Sequence, residues 1–338
     1  MGESAGAGYI RRIAPAPDEK RAGANQGKGL ALRFRGAGDR ALIPVVEGNA
    51  VGRTWLITGS AHGLGRSIVE AALSAGDRVV ATARDPARLS DLEGLYRDRL
   101  VSFALDVTDA ARAWAAVDVA VARFGGVDIL VNNAGFGHIA PFEQTSDADF
   151  RAQIETNFYG VVNLSRAVLP VMRHQRSGHI INISSVGGRI SSPGLSAYQA
   201  AKWAVGGFSE VLAKETAAFG VKVIAVEPGG MRTDWGAVAG GHAPDLIADY
   251  QPSVGAMLAM TRGYAGHEIG DPARIASLIV DLAGRDALPA HLLVGSDALL
   301  AFRQAQAVRQ KEAEEWATIS TSTDLSGVDI SVISNLLE

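Results

Sequence analysis

The chain has 338 residues, room for one large α/β domain with added ends, and a hydrophobic fraction of 47% against 20% charged excludes wholesale disorder. Its 32 basic and 36 acidic residues leave a net charge of −4, no footprint for nucleic acid or an anionic membrane, and the lack of cysteine excludes disulfides, thiolate catalysis and Cys-ligated metal. No apolar run approaches the roughly 18 to 20 residues of a membrane span, so a soluble, cytoplasmic, metal-free protein acting on small molecules is expected.

Residues 1–50 are rich in Gly, Ala and Arg without a sustained apolar period, and read as a disordered N-terminal extension. Acidic Glu3, Asp18 and Glu19 argue against a transit peptide. From residue 51 to 296 short β-branched runs alternate with helical patterns, as βαβ units do. The predicted strands run from Trp55 to Thr58, Arg78 to Ala83, Leu100 to Leu105, Val127 to Val131, His179 to Ser184, Val221 to Glu227 and His291 to Val294. Helices are expected from Gly65 to Ala75, Ala110 to Phe124, Ala148 to His174 and Ala197 to Phe219. The fold class is therefore α/β: a single Rossmann-type, doubly wound, mainly seven-stranded parallel sheet with helices on both faces.

Residues 231–270 break the rhythm. Gly236, Gly240, Gly241, Pro244 and Pro252 make the segment loop-rich, and its place after a strand suggests a substrate lid. Asp271 as N-cap and Pro272 as first residue then start a helix running to about Leu282. Residues 297–338 read as an amphipathic helix to Trp316 followed by a loosely held tail.

Chemistry enters at the first strand. Thr58-Gly59-Ser60-Ala61-His62-Gly63-Leu64-Gly65 is a glycine-rich turn between strand and helix, where Gly59, Gly63 and Gly65 let the backbone approach a pyrophosphate at the helix's positive end. Farther on, Tyr198 and Lys202 lie four apart on one helical face. An ammonium beside a phenol favours phenolate and draws its pKa toward the working range. Six tyrosines and six lysines produce such a spacing by chance in about one chain in ten. Ser185, however, ends the run Ile180-Ile181-Asn182-Ile183-Ser184-Ser185 at the carboxyl end of a strand, where ligands of open α/β sheets bind. Strand alternation sends only one of the two serines to the site, and Ser184 is assigned to packing or a local hydrogen bond.

These motifs, spread over about residues 53–295, resemble those of the short-chain dehydrogenase/reductase family in its shorter-chain branch. The resemblance implies catalytic roles for Ser185, Tyr198 and Lys202, and adds Asn157 as the fourth member of a proton relay; the bland alternative is a helix asparagine bonding its own backbone. It implies cofactor contacts from Gly59, Ser60, His62, Gly63, Leu64 and Gly65, and from Asn133, Ala134 and Gly135 of the Asn-Asn-Ala-Gly run. Asp106 and Val107 are expected at the adenine, unless Asp106 or Thr108 caps the next helix. Pro228, Gly229 and Thr233 are expected at the nicotinamide, with Tyr198 and Lys202 also touching the cofactor. His138 is left outside the site.

At the end of the second strand, where an acidic residue would hold both ribose hydroxyls, stands Ala83 followed by Arg84, which can pair with a 2′-phosphate. NADP(H) is preferred, with NAD as the alternative; the local arguments for NAD are the adjacent Asp85 and, by the resemblance, His62 where NADP-using relatives often carry Arg or Lys. The expected activity is hydride transfer between NADP(H) and a carbonyl or alcohol, in a homodimer or homotetramer. The rival readings are a non-catalytic NADP-binding sensor and a non-redox, lyase-type member of the same fold.

Overall fold

The computed structural model describes residues 52–325, Gly327 and Ser331, preceded by two short strands, β1 (Leu30–Leu32) and β2 (Leu42–Pro44), paired antiparallel. The expectation of disorder for residues 1–50 otherwise lies outside the described residues. Seven strands follow: β3 (Thr54–Thr58), β4 (Arg78–Ala83), β5 (Leu100–Ala104), β6 (Ile129–Asn132), β7 (Gly178–Ile183), β8 (Val221–Pro228) and β9 (His291–Val294). All pair in parallel, in the order β5-β4-β3-β6-β7-β8-β9. From β3 the chain winds outward to β5, then returns to β6 on the other side of β3. That reversal opens a crevice at the carboxyl ends of β3 and β6, the usual ligand position in such sheets.

The period of two along each strand splits the core. Trp55 and Ile57 face one layer, with Ile68 and Leu73 of α1 (Gly63–Ser74) and Ile279 of α9 (Pro272–Leu282). Leu56 faces the other, with Val117 of α3 (Ala110–Phe124), Leu164 and Met172 of α5 (Gly160–Gln175) and Leu212 of α6 (Ser196–Thr216). Each such side chain contributes about 1.5–3 kcal/mol on full burial, so the sheet is fixed from both faces.

Several local expectations change. The helix expected unbroken from Ala148 to His174 is α4 (Asp147–Ile154), then a π-turn over Glu155–Tyr159, then α5. Asp109, not Asp106 or Thr108, caps α3, its carboxylate accepting from Arg112 N at 3.0 Å. Asp271 caps α9 as expected, accepting from Ala273 N at 2.8 Å. A short helix, α2 (Ser90–Leu95), was not foreseen.

The segment expected to be loop-rich is largely helical: α7 (Trp235–Gly241), a 3₁₀ turn at Ala248–Tyr250, a π-turn at Gln251–Gly255 and α8 (Ala256–Tyr264). Its ends meet, Met231 bridging Gly270 in parallel and Gly270 N donating to Gly230 O at 2.9 Å. Ile139, Leu195, Ala239, Val254 and Leu258 form a third apolar cluster that packs the segment over the crevice. After β9 come α10 (Ser296–Glu315) and a single turn, α11 (Ala317–Thr321), in the tail expected to be loose. Among the described residues no helix is long and apolar enough to cross a membrane.

Candidate active site

The glycine-rich turn leaves β3 with Gly59 at φ 68° and Gly63 at φ 55°, left-handed values that favour glycine. A Cβ on Gly65 would stand 2.2 Å from Gly59 O and 2.5 Å from Asn133 Nδ2, so α1 docks on the turn only without one. No side chain caps α1 at His62, and no acidic residue lies in its first turn. The positive helix end is thus left for an anion, and the cradle fits a pyrophosphate. Ser60 turns inward, its hydroxyl donating to Ile57 O at 2.9 Å, and the Leu64 side chain is buried in the core. Both can offer a cofactor only their backbone.

Asn133 braces the same turn, donating to Thr58 O at 3.0 Å and Gly59 O at 3.2 Å, while Asn132 ties β6 to Asn182 of β7 at 2.8 Å. Ala134 N donates to Thr58 Oγ1 at 3.0 Å. Asp106 holds a local turn, accepting from Thr108 N and Oγ1, and Val107 packs in the core with its carbonyl taken by Asn163. Across the crevice, a Cβ on Gly63 would lie 3.7 Å from the Thr233 methyl, so the turn after Pro228 and Gly229 reaches the glycine-rich turn.

At the end of β4, Ala83 is buried and Arg84 is exposed, with no ion-pair partner among the described residues. Asp85 is occupied: its carboxylate accepts from Ala87 N at 3.1 Å and caps a 3₁₀ turn begun by Pro86. The acidic neighbour is therefore turned to the backbone.

Ser185 follows β7 and accepts from Gly187 N at 3.0 Å through its oxygen, which leaves its O–H to donate. Ser184 points the other way, donating to Lys202 O at 3.2 Å. Lys202 donates from Nζ to Ile183 O at 2.9 Å and stands 5.7 Å from the centre of the Tyr198 ring. Tyr198 is 9% exposed. Burial pushes its phenol up to about 12, a hydrogen bond with Ser185 opposing that, and burial pulls Lys202 down to about 8. Desolvation, and not the ammonium expected from the sequence, sets the direction in which the phenol shifts.

Asn157 lies in the π-turn and is fully buried. Its Nδ2 donates to Phe136 O at 2.7 Å and Gln153 O at 2.8 Å, and its Oδ1 accepts from Phe136 N at 3.2 Å. It does bond its own helix, and it also holds the loop after Gly135. A Cβ on Gly135 would stand 2.6 Å from Asn157 Oδ1 and 3.5 Å from Lys202 Nζ, which puts all three together.

Sequence reasoning missed what covers Tyr198. Trp235 of α7 lies against it, ring centres 5.1 Å apart, and a Cβ on Gly137 would come within 3.0 Å of both rings. His138, left outside the site, pairs with Asp149 at 2.7 Å and stacks on His242 of the 231–270 segment at 4.2 Å. A cleft of about 450 Å³ lies alongside, lined by Phe142, Ser192, Trp203 and Tyr250 and sharing Val254 with the third apolar cluster. Only the position of Trp235 just beyond Thr233 hinted at this in the sequence.

Comparison with known proteins fits this geometry. The family model described as short chain dehydrogenase matches residues 53–240. The chain is 46% identical over 272 residues to "Oxidoreductase BOA17" of Botryotinia fuckeliana, covering 80% of this chain and 99% of that protein. The crystal structure of a short-chain dehydrogenase from Streptomyces avermitilis superposes with a TM-score of 0.74 at 40% identity, covering 81% of this chain and all of that one. A short chain dehydrogenase/reductase from Burkholderia phymatum, solved in complex with NAD, superposes with a TM-score of 0.67 at 25% identity over 78% of this chain and 97% of that one.

Proposed function

The chain belongs to the short-chain dehydrogenase family, an oxidoreductase acting on CH–OH or C=O groups with a nicotinamide cofactor, and from that premise we propose that it is NADP(H)-dependent with Tyr198 as the acid and base. One observation carries the reading: Ser185, Tyr198, Lys202 and Asn157 converge at the carboxyl end of β7, beside an uncapped α1 that suits a pyrophosphate.

The nicotinamide, when bound, supplies a hydride to the carbonyl carbon or takes one from the alcohol carbon. Ser185 donates its O–H to the carbonyl oxygen and holds it beside the phenol. Tyr198, protonated well above neutral pH because it is buried, gives that oxygen its proton as the C=O π bond opens, so one C–H and one O–H bond form. Lys202, charged below about pH 8, stabilises the phenolate left behind. Asn157 keeps the Gly135 loop beside Lys202, along the route by which a solvent proton restores the phenol. In oxidation the same groups run in reverse.

Arg84, exposed at the end of β4 and without an ion-pair partner among the described residues, with Asp85 capping a 3₁₀ turn and no carboxylate at Ala83, supports NADP(H) over NAD. We read residues 51–296 as the oxidoreductase domain and 231–270 as its substrate lid. Exposed Tyr159, Trp203 and Val211, on the helical region carrying Asn157 and Tyr198, support a homodimer or homotetramer, which we place in the cytoplasm. An intact Ser185, Tyr198 and Lys202 set weighs against a sensor. The glycine-rich turn weighs against a lyase.

The test is a panel of ketones and aldehydes assayed with NADPH and NADH. The purified protein should oxidise NADPH with some member, and Tyr198→Phe should abolish turnover while keeping cofactor binding. Undiminished turnover in that variant would rule out the phenol as acid.

A further inference from the structure

We infer that the C-terminal helix α10, outside the segment matched to the family, is part of the active-site scaffold, with Asp297 and Arg309 as positioning residues. The inference rests on the oxidoreductase reading and extends it to a second layer of side chains.

Asp297 lies in the first turn of α10. Its Oδ2 accepts from Gly230 N at 2.7 Å, and Gly229 N donates to Val294 O at 2.9 Å, so the turn after Pro228 is held between β9 and one carboxylate. The fit is close. A Cβ on Gly229 would come within 2.3 Å of both carboxylate oxygens, and one on Gly295, at φ 110°, within 2.5 Å of Oδ1. Two absent side chains make room for this one. Asp297 Oδ1 is buried without a hydrogen-bond partner, a desolvation cost that is seldom retained where placement does not matter.

Three turns later α10 reaches the catalytic serine's loop. Arg309 stacks its guanidinium on Trp203, 5.1 Å from the ring centre, and donates to Arg189 O. Arg189 closes the 3₁₀ turn that begins at Ser185, donating from its backbone to Val186 O at 2.8 Å. Its own guanidinium lies 5.0 Å over Phe302 of α10 and 3.7 Å from the buried Glu227 carboxylate, which pairs with His291 Nδ1 at 2.8 Å. Glu227 directly precedes Pro228. One helix thus braces both loops that must align: Asp297 the nicotinamide turn, and Arg309, through Arg189, the serine turn.

The experiment uses the full chain with Asp297→Ala, Asp297→Asn, Arg309→Ala and Arg309→Lys, reading cofactor affinity by fluorescence, hydrogen exchange of the cofactor-free protein, and kcat and KM. Asp297→Ala should raise the Kd for NADPH about tenfold, the effect of losing one charge-assisted hydrogen bond, and speed exchange over residues 228–234. Asp297→Asn keeps an acceptor oxygen and should recover most of both. Arg309→Ala should lower kcat several-fold and speed exchange over 185–190 with cofactor Kd unchanged, and Arg309→Lys should restore it only in part because it lacks the planar stack. Folded Ala variants with unchanged Kd, kcat and exchange would overturn the inference. If Asp297→Ala does not fold, Asp297→Asn decides: a Kd raised a few-fold with faster exchange over residues 228–234, the loss of the charge alone, supports the positioning role, and unchanged Kd and exchange overturn it. Wild-type protein without turnover on any carbonyl would instead sink the oxidoreductase reading, while affinity and exchange would still test Asp297.

Discussion

Replacing Arg84 with alanine removes a cation that has no ion-pair partner among the described residues, where β4 ends beside the crevice. Nothing intramolecular should be lost with it, because the side chain is exposed and has no ion-pair partner among the described residues. Stability should stay within about 0.5 kcal/mol of wild type, as for surface changes generally. A guanidinium bonding a phosphate contributes about 1.5–3 kcal/mol, and exposure to solvent and salt puts Arg84 at the low end of that range. The Kd for NADPH should therefore rise about tenfold, equivalent to about 1.4 kcal/mol. NADH carries no 2′-phosphate, and its Kd should change by less than about twofold. Ala83→Asp supplies a carboxylate at the end of β4, where Asp85 is engaged in capping a 3₁₀ turn, and should shift the preference toward NADH. Fluorescence titration with both cofactors at low and physiological salt measures each term, and the NADPH effect should shrink as salt rises. Equal losses for the two cofactors in Arg84→Ala would refute the assignment.

Other consequences are open to direct measurement. Because burial brings Lys202 down to about 8, its charge is lost as pH rises through that value, and kcat/KM for carbonyl reduction should fall above about pH 8; Lys202→Arg should move the fall out of the accessible range. A pH profile flat to pH 9.5 would contradict it. Asn157→Ala leaves the Phe136 amide and carbonyl without their side-chain partner and should cost about 2–4 kcal/mol in urea unfolding, with turnover reduced; a loss below about 1 kcal/mol would show that the loop does not depend on it. Trp235→Ala uncovers Tyr198 and should raise kcat/KM for bulky ketones relative to methyl ketones by about tenfold or more. An unchanged ratio across a substrate panel would show that Trp235 sets no limit on size.

Much of the sheet was legible because buried parallel strands are short apolar runs. β4 and β9 have the bounds read from sequence, as does α3. The helices of residues 231–270 were misread as loop because Gly236, Gly240, Gly241 and Pro252 are poor helix formers. They are held instead by packing of Val254 and Leu258 against Ile139 and Leu195, which no local pattern reveals. The π-turn was hidden for a related reason: residues on both sides keep a helical period, and one extra residue between them is lost in the average. At the site, the spacing of Tyr198 and Lys202 and the glycine turn are local and were readable. The side chain that Leu64 turns inward, the Trp235 cover and the Asp297 support depend on partners distant in the sequence.

The bridge between Met231 and Gly270 makes the segment between them a cassette. With its ends pinned to each other, the chain between them can change in length or shape without altering the distance that β8 and α9 must span. Closing a longer loop adds little entropy cost, about 0.6 kcal/mol for each doubling. The sheet can therefore keep its frame while residues 231–270 change, and a segment transplanted at these two residues should leave the fold around it unchanged.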